Sequence, residues 1–364
     1  MRIIVFGSYR LWEQPRVRVL LEGLSERGHE IVECNVPLPF DTAKRVRAAQ
    51  QPWRAPLLAL RVGQVWPALW RKARRLPKPD AVLVPYLGHF DVHLARRLWP
   101  HTPIVLDHFL FLEDTAIDRG TRSRMVLGAL GWADRSAVRA SDLVIVDTEG
   151  HRRLLPEPQQ SRAIVVPVGA PHEWFHEPGR RGSGPVRVIF FGIFTPLQGA
   201  PTIGDALRLI DPDPAEVRVT MVGRGQDYEA TRRLAGSSSA VEWVDWVDYD
   251  ELPALVAEQD ICLGIFSASP KGLRVVPNKV YQGAAAGCAI VTSESVWQRA
   301  ALGEAAVFVA AGDAKALADA LRELVSDPAR VMSLRQAAYR RALEVFTPSA
   351  VVQPLDERLS TLRR

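Results

Sequence analysis

Short apolar segments alternate with helical segments along the first half of this 364-residue chain. The predicted strands of this half are Arg2–Phe6, Glu30–Cys34, Ala81–Pro85, Ile104–Asp107, Leu143–Asp147 and Ile164–Val166. Between them lie segments with apolar residues at helical spacing, such as the one after Pro15 and the one near Met125–Arg139. Short buried strands separated by amphipathic helices are typical of a parallel, doubly wound sheet. The alternation therefore predicts an α/β fold.

The same alternation begins again after a stretch rich in proline and glycine, residues 171–185. A chain of this length also exceeds what one core usually serves. We therefore predict an N-terminal Rossmann-like domain over residues 1–170, a linker over 171–185 and a second Rossmann-like domain over 186–345. A C-terminal helix, residues 346–364, is expected to pack back on the first domain. Two such domains facing each other would form an interdomain cleft at the carboxyl ends of their strands, where ligands bind in these folds.

Composition narrows the class of protein. The chain is 47% hydrophobic and 24% charged, which is typical of a globular protein. No apolar run approaches the roughly 20 residues that span a bilayer, and the first residues enter a strand pattern directly, so we expect a cytoplasmic protein without a signal peptide. Three widely spaced cysteines in apolar segments, Cys34, Cys262 and Cys288, are typical of reduced core thiols.

One segment carries an unusual charge distribution. Between Asp41 and Asp80 there are ten basic residues and no acidic one. Apolar residues recur there at helical spacing, and tryptophans such as Trp66 and Trp70 suit the headgroup region of a membrane. Residues 44–78 are thus a candidate for peripheral contact with the anionic inner face of a membrane; the alternative is a solvated basic face over an ordinary core stripe. No nucleic-acid-binding motif accompanies the charge, so we expect no nucleic-acid partner.

The run from Pro277 to Gly287 has the strongest functional signal. Asn278, Lys279 and Gln282 open a helix of small residues that a buried strand follows. A helix N-terminus presents unpaired N–H groups and a partial positive charge, which suits a phosphorylated ligand. The alternative is an ordinary buried alanine-rich helix.

Four glycines stand directly after predicted strands: Gly7, Gly192, Gly223 and Gly225. Glycine removes a side chain that would block a ligand and permits positive φ, although each position alone is also typical of a turn. Together with the 277–287 helix, they favour a nucleotide-binding cleft. Neither a dinucleotide-binding fingerprint nor a Walker loop occurs in the sequence, so hydride transfer and ATP hydrolysis are not expected.

The second half of the chain resembles the donor domain of retaining glycosyltransferases of family 4, which have the GT-B fold of two facing Rossmann-like domains. The run Pro277–Gln282 resembles one branch of that family. The segments that carry the resemblance are Phe191–Gly199, Val222–Gly225, Trp246–Val247, Asp260–Phe266 and Pro277–Thr292, with Arg16–Leu24 and Val166–Ala170 in the first half. The resemblance implies transfer of a sugar from a nucleotide-sugar to a sugar or lipid-linked acceptor, with retention of configuration and without a metal or other cofactor.

The chain departs from that family at two places. The family's two glutamates, spaced eight positions apart, are replaced by Arg274 and Gln282. The Gln282 amide oxygen can still accept a hydrogen bond from a ribose hydroxyl. The family's arginine and lysine near Gly192 are replaced by Ile193 and Gln198, and Arg274 and Lys279 are the substitutes we expect for binding phosphate.

The resemblance, these replacements and the glycines after strands together give the expected donor site. The diphosphate is expected at Lys279 and Arg274, the ribose or donor hydroxyls at Gln282 and Asn278, and the base near Val247. The donor-binding residues predicted in full are Gly7, Gly192, Thr195, Gln198, Gly223, Gly225, Val247, Arg274, Asn278, Lys279 and Gln282.

His108 and Asp107 are the catalytic candidates, because they end a predicted strand at the ligand-binding edge of the sheet. A polar group there can orient the donor or accept a proton from the acceptor hydroxyl. The alternatives are a capping role for Asp107 and a partly exposed loop histidine at position 108. The stretch that follows, around Asp114 and Asp118, is predicted to be loop-like. His89 and His93 lie four residues apart without an evident third ligand, so no metal site is predicted.

Two other functions remain open. One is a nucleotide-sugar epimerase of similar architecture, which would release free sugar without an acceptor. The other is a catalytically silent relative that binds a nucleotide-sugar or a partner glycosyltransferase as a scaffold. The two replaced glutamates motivate the second alternative.

Overall fold

The computed structural model describes residues 1–37, 55–179 and 184–362, which divide into two compact units. Met1–Pro167 and Pro348–Arg364 form the first unit, and Val168–Thr347 forms the second. Part of the basic segment, residues 44–54, and part of the predicted linker, residues 180–183, lie outside the described residues.

The first unit contains a six-stranded sheet in which all neighbouring strands are parallel, in the order β2-β1-β3-β4-β5-β6. The strands are β1 (Arg2–Gly7), β2 (Glu30–Asn35), β3 (Ala81–Val84), β4 (Ile104–Asp107), β5 (Leu143–Val146) and β6 (Ala163–Val165). The strand order changes direction between β1 and β3. A crevice for ligands is expected beyond the carboxyl ends of the strands at such a point.

Helices cover both faces of this sheet. They are α1 (Pro15–Glu26), α2 (Ala55–Ala73), α3 (Asp91–Leu98), α4 (Leu112–Asp118), α5 (Arg124–Ala140), α6 (Glu149–Arg152) and α7 (Glu157–Gln160). Successive strand residues point to opposite faces, so Ile4 and Phe6 pack with α2, α3 and α5, whereas Ile3 and Val5 pack with α1.

Helix α4 stands where the sequence predicts a loop, in the stretch that contains Asp114 and Asp118. The Asp134 carboxylate of α5 accepts hydrogen bonds from the backbone N–H groups of Leu112 and Glu113 at the start of α4. The cap of this helix therefore comes from a residue about 20 positions away, where no local sequence pattern announces it.

The second unit contains another parallel six-stranded sheet, in the order β12-β11-β10-β7-β8-β9. The strands are β7 (Val186–Phe191), β8 (Val217–Val222), β9 (Val241–Val244), β10 (Ile261–Leu263), β11 (Ala289–Ser293) and β12 (Ala306–Val309). The strand order changes direction between β7 and β10, as in the Rossmann arrangement. The predicted α/β architecture is confirmed in both halves of the chain.

The helices of the second unit follow the predicted alternation. They are α8 (Ala200–Ile210), α9 (Tyr228–Ala235), α10 (Leu252–Ala257), α11 (Asn278–Ala285), α12 (Val296–Leu302), α13 (Ala314–Ser326) and α14 (Pro328–Val345). Side-chain oxygens of Ser295, Asp313 and Asp327 cap α12, α13 and α14, which explains where these helices begin.

The C-terminal segment belongs to the first unit. It forms α15 (Pro348–Val351) and α16 (Gln353–Leu362), whose Leu355 and Leu359 are buried in the same cluster as Leu20 of α1. A Cβ atom on Gly23 would lie 2.2 Å from the Pro348 carbonyl oxygen, so α1 and α15 pack as closely as a glycine allows.

The described helices include none with both the length and the apolar character needed to cross a membrane. The three cysteines are buried and free, as the sequence predicts.

Candidate functional site

The N-terminus of α11 lies in the second unit, on the connection between β10 and β11. It follows directly on Pro277, whose extended backbone starts the helix. β7 and β10 are the two strands at which the strand order changes direction, so the start of α11 and the loop after β7 belong to the region where ligands bind in such sheets. The rest of the site is built around Lys279, the second residue of α11.

Lys279 is a buried lysine, with 4% of its surface exposed. Its Nζ has no hydrogen-bond partner among the described residues and lies 3.5 Å from the centroid of the Phe190 ring. Burial lowers the pKa of the Lys279 ammonium to about 7, although nearby Cys262 opposes the shift. A buried ammonium without an acceptor is costly, and an anionic ligand would supply the missing acceptor.

Polar side chains surround the start of α11. Gln282 is buried one turn along the helix, and Asn278 and Arg274 are half-buried. Lys271, in the loop before the helix, is also buried. Sequence reasoning misses Lys271; the recurrence of Lys271, Arg274 and Lys279 in one short stretch is the signal that could find it. The segment thus concentrates three cationic side chains before and within the first turn of α11.

The loop after β7 approaches Lys279. A Cβ atom on Gly192 would lie 3.5 Å from the Lys279 Nζ, so a ligand could reach the ammonium past this glycine. Thr195 precedes a single helical turn, Pro196–Gln198, and the Gln198 Oε1 is buried without a partner among the described residues. Gly192, Thr195 and Gln198 therefore share one loop, and Gly192 brings that loop to Lys279.

Gly223 and Gly225 have an explanation that requires no ligand. A Cβ atom on Gly223 would lie 2.0 Å from the Gly192 carbonyl oxygen, and one on Gly225 would lie 2.4 Å from the Phe194 carbonyl oxygen. Both glycines are thus required where the loops after β7 and β8 touch. Val247, the predicted base-binding residue, is half-buried beyond the end of β9.

In the first unit, Gly7 also has a packing explanation. The loop after β1 is held by Asp91, whose Oδ2 accepts hydrogen bonds of 2.8 Å from the backbone N–H and from the hydroxyl of Ser8. A Cβ atom on Gly7 would lie 3.2 Å from that same oxygen. The structure thus gives Gly7 a role in the packing of this loop, and its donor-binding role stays a prediction.

Asp107 and His108 point to opposite faces of the first sheet, because they are consecutive residues at the end of β4. Asp107 lies on the α1 side, where both its oxygens accept hydrogen bonds from the Arg16 Nε at 2.9 and 3.1 Å. Burial raises the pKa of the Asp107 carboxyl, and Arg16 opposes that rise. Arg16 also donates to the carbonyl oxygens of Val166 and Pro167, so this ion pair joins α1 and β4 to the segment after β6.

His108 lies on the other face and is 1% exposed, so it is not the partly exposed loop histidine that the sequence leaves open. Neither ring nitrogen has a hydrogen-bond partner among the described residues. Its ring packs edge-on against Phe111, with 4.3 Å between centroids, and its Nε2 lies 3.9 Å from Asp134. Burial, with help from His89, lowers the pKa of His108 to about 3, so the imidazole is neutral at physiological pH.

His89, His108 and Asp134 bring three possible metal-ligand atoms within 4.8 Å of one another. Sequence reasoning pairs His89 with His93 and misses this cluster, since its members are far apart in the chain. The His89 Nε2 is 2.9 Å from Asp134, which also caps α4, and His93 contacts Ser136 instead. Hydrogen bonding thus accounts for the positions of Asp134 and His89. It leaves His108 as the member of the cluster that has no hydrogen bond to any described residue.

A pocket of about 260 Å³ opens beside His108 and Asp134. Its wall includes the apolar side chains of Phe111, Ile117 and Leu154. The neutral imidazole of His108, in the wall of this pocket, can form a hydrogen bond with a hydroxyl group as either donor or acceptor.

Residues 185–327 match a protein-family model described as glycosyl transferases group 1. This range contains the whole of the site around Lys279. No curated protein matches the chain in sequence.

Solved structures match over nearly the full length of both chains. The sucrose-phosphate synthase from Thermosynechococcus elongatus is 15% identical with a TM-score of 0.71, and the match covers 100% of this chain and 99% of that one. Anabaena HepE in complex with UDP and glucose is 15% identical with a TM-score of 0.69, covering 99% and 100%. An α,α-trehalose-phosphate synthase (UDP-forming) from Burkholderia vietnamiensis is 13% identical with a TM-score of 0.66, covering 100% and 97%.

These matches confirm the predicted fold class: the two parallel six-stranded sheets with their helices correspond to GT-B glycosyltransferase structures. Identities of 13–15% support the fold and do not by themselves assign a reaction.

Proposed function

We propose that this protein is a glycosyltransferase that moves a sugar from a nucleotide-sugar to an acceptor with retention of configuration. The observation that carries the proposal is the ammonium of Lys279, buried beside Gly192 at the start of α11 without a hydrogen-bond partner among the described residues. The family match over residues 185–327 supports it, as does the presence of UDP and glucose in the similar Anabaena HepE structure.

In this proposal, the departing diphosphate is stabilised by the second unit. Lys279 and Arg274 supply positive charge, and the N–H groups at the start of α11 supply donors. Because the cations come from the protein, we propose that the reaction needs no metal or other cofactor. Gln282 and Asn278 hold ribose or donor hydroxyls, Thr195 and Gln198 line the same loop as Gly192, and Val247 lies at the base.

Gln282 is one of the residues at which this site departs from the family pattern. An amide can accept a hydrogen bond from a ribose hydroxyl, but it carries no negative charge. Lys279 then lies near a neutral group instead of a carboxylate, which leaves its charge available to the diphosphate.

We propose that His108 contacts the reacting sugar or the acceptor hydroxyl, since its neutral imidazole borders the pocket and bonds to no described residue. Asp107 has a different task. Both its oxygens are bound by Arg16 on the opposite face of the sheet, so we propose that it positions the end of β4 and takes no part in proton transfer.

The acceptor is proposed to be a sugar or a lipid-linked molecule, and the protein to be cytoplasmic. Contact with an anionic membrane through residues 44–78 remains part of the proposal, and the described part of that segment carries exposed basic residues.

Calorimetry of the full chain with UDP, GDP and ADP, combined with an assay of nucleoside diphosphate release from UDP- and GDP-sugars, tests the proposal. We expect one nucleotide to bind and its sugar conjugate to turn over faster when an acceptor mixture is added. A turnover rate that is the same with and without acceptors, with free sugar as the product, would favour an epimerase or hydrolase. Binding without turnover would favour the silent scaffold, and no nucleotide binding at all would refute the donor site.

Lys279→Met tests the role of the Lys279 charge, because methionine fills a similar volume without charge. We expect it to raise the Kd for the nucleoside diphosphate at least tenfold, since a charge-assisted hydrogen bond contributes about 1.5–3 kcal/mol. Lys315→Met, which removes an exposed lysine of the same unit, is the control and should leave the Kd unchanged.

A further inference from the structure

Three helices of the first unit form one layer on one face of its sheet. Val65 and Leu69 of α2, Val92 of α3 and Val138 of α5 belong to the same buried cluster, and α3 packs between α2 and α5. Their opposite sides face outward. We call α2, α3 and α5, together with the residues just after α2, the helical layer.

The outer side of the helical layer is strongly basic. Within its helices the acidic residues are Asp91 and Asp134, and both are buried. Among the residues of this layer whose exposure the structure describes, the exposed basic ones include Arg71, Lys72, Arg74, Arg75, Lys78, Arg97, Arg124 and Arg139. A face that buries its acids and exposes its bases attracts an anionic partner.

Large apolar side chains stand among these charges. Met125 is 83% exposed and Trp132 is 62% exposed, and they lie seven residues apart along the outer side of α5. Trp70 of α2 is 42% exposed, with the Arg74 guanidinium 4.6 Å from its ring centroid. Tryptophan is usually well buried in folded proteins, so two exposed tryptophans on one basic layer call for an explanation.

We propose that the helical layer binds the surface of an anionic lipid bilayer, with Met125, Trp132 and Trp70 entering the headgroup region. Basic residues near an anionic membrane contribute about 1 kcal/mol each, and tryptophan favours the headgroup level because one end is apolar and the other can hydrogen-bond. Nucleic acid would use the same charge. It offers no partner for the exposed thioether of Met125, whereas acyl chains do.

The surface extends well beyond the basic segment that the sequence indicates. From the sequence, only residues 44–78 suggest membrane contact; Met125 and Trp132 resemble an ordinary core stripe of α5 because their spacing is helical. The structure places them on the outside of α5, in the same layer as α2. This proposal does not depend on the proposed transfer reaction.

Flotation of the full chain with vesicles of phosphatidylcholine, alone and with added phosphatidylglycerol, tests the proposal. We expect binding only to the anionic vesicles. The double variant Met125→Ser with Trp132→Ser should bind at least tenfold more weakly, as should Arg124→Gln with Arg139→Gln. Val296→Ser with Leu343→Ser removes comparably exposed apolar side chains from the second unit and should bind like the wild type.

Three results would overturn the proposal: equal binding to neutral and anionic vesicles, unchanged binding by both helical-layer variants, or tighter binding to a DNA duplex than to anionic vesicles. Affinity for whichever of UDP, GDP and ADP binds the wild type, measured on the same variants, should be unchanged. A loss of vesicle binding with intact nucleotide binding therefore separates this surface from the donor site.

Discussion

Burial of the Lys279 ammonium destabilises the folded protein, and the same ammonium suits an anionic ligand. Its ammonium is buried without a hydrogen-bond partner among the described residues, and the ring of Phe190 lies beneath it. An aromatic face attracts a cation, but it compensates only part of the lost hydration. We infer that this lysine is retained for binding and not for stability.

The destabilisation caused by burying Lys279 depends on pH. The pKa of Lys279 is about 7 in the folded chain and about 10.4 in an unfolded one, so between these values the unfolded state binds more protons. Stability then rises with pH across that range. We predict that Lys279→Met is the more stable protein by a few kcal/mol at about pH 7, and that the difference narrows towards about pH 10.

Urea unfolding of both proteins across that pH range measures the difference, because other groups titrate alike in the two chains. A difference that stays constant with pH would show that the pKa of Lys279 is not lowered in the folded protein. Lys315→Met, which changes an exposed lysine, should show little dependence.

Among the individual residues of the site, the sequence predicts some and misses others. Lys279 and Gln282 stand in a recognisable run, so both could be singled out. The burial of Lys271 could not be predicted, because packing between distant segments decides whether a loop lysine is buried. The same holds for His108, whose ring has no hydrogen-bond partner among the described residues because Asp134 pairs with His89.

Helix α4 illustrates how one element depends on another. The Asp134 carboxylate accepts hydrogen bonds from the backbone N–H groups of Leu112 and Glu113 and pairs with the His89 Nε2. We predict that Asp134→Ala lowers the free energy of unfolding by about 2–4 kcal/mol, since a cap and a buried partner of His89 are lost together. Asp134→Asn keeps one acceptor oxygen and should lose less.

Denaturant unfolding with Asp319→Ala as the control checks this prediction, because Asp319 is an exposed residue that makes surface ion pairs. If Asp134→Ala proved as stable as the Asp319→Ala control, helix α4 would not need its cap.

Two glycines in helices give opposite predictions. A Cβ atom on Gly23 would meet the Pro348 carbonyl oxygen at 2.2 Å, whereas one on Gly128 would meet nothing within 4 Å. We expect Gly23→Ala to destabilise the protein by about 1–3 kcal/mol because α1 and α15 must separate. Gly128→Ala should stabilise it by about 0.5–1 kcal/mol through helix propensity.

Thermal unfolding of the two variants measures both effects. A Gly23→Ala protein as stable as the wild type would show that α15 does not pack tightly on α1 in solution.

The elements themselves follow from the sequence where a local pattern suffices. A buried strand needs only a short continuous apolar run, and Leu143–Val146 supplies one for β5. Helix α5 could be predicted to within one residue at its start, because its apolar residues recur at helical spacing. Ser123 caps it. Helix α4 and the outward direction of Met125 could not be predicted, since both depend on which neighbours cover the helix.

At the scale of the whole molecule, each unit has its own sheet and its own buried clusters. The sequence predicts two α/β halves because the alternation of strands and helices restarts after residue 185. The structure adds that the chain returns to the first unit at Pro348, where α15 and α16 complete the core beside α1.

The proposed chemistry is divided between the units in the same way. The cations for a diphosphate belong to the second unit, and His108, with its pocket, belongs to the first. This division agrees with the match of residues 185–327 to the glycosyl transferases group 1 model, since that range contains Lys279 and excludes His108.

A crystal structure of the full chain with bound UDP would show directly whether Lys279 holds a diphosphate. We predict the β-phosphate at the start of α11, with an oxygen within about 3 Å of the Lys279 Nζ. A diphosphate bound elsewhere, with that ammonium still lacking an acceptor, would refute the donor site.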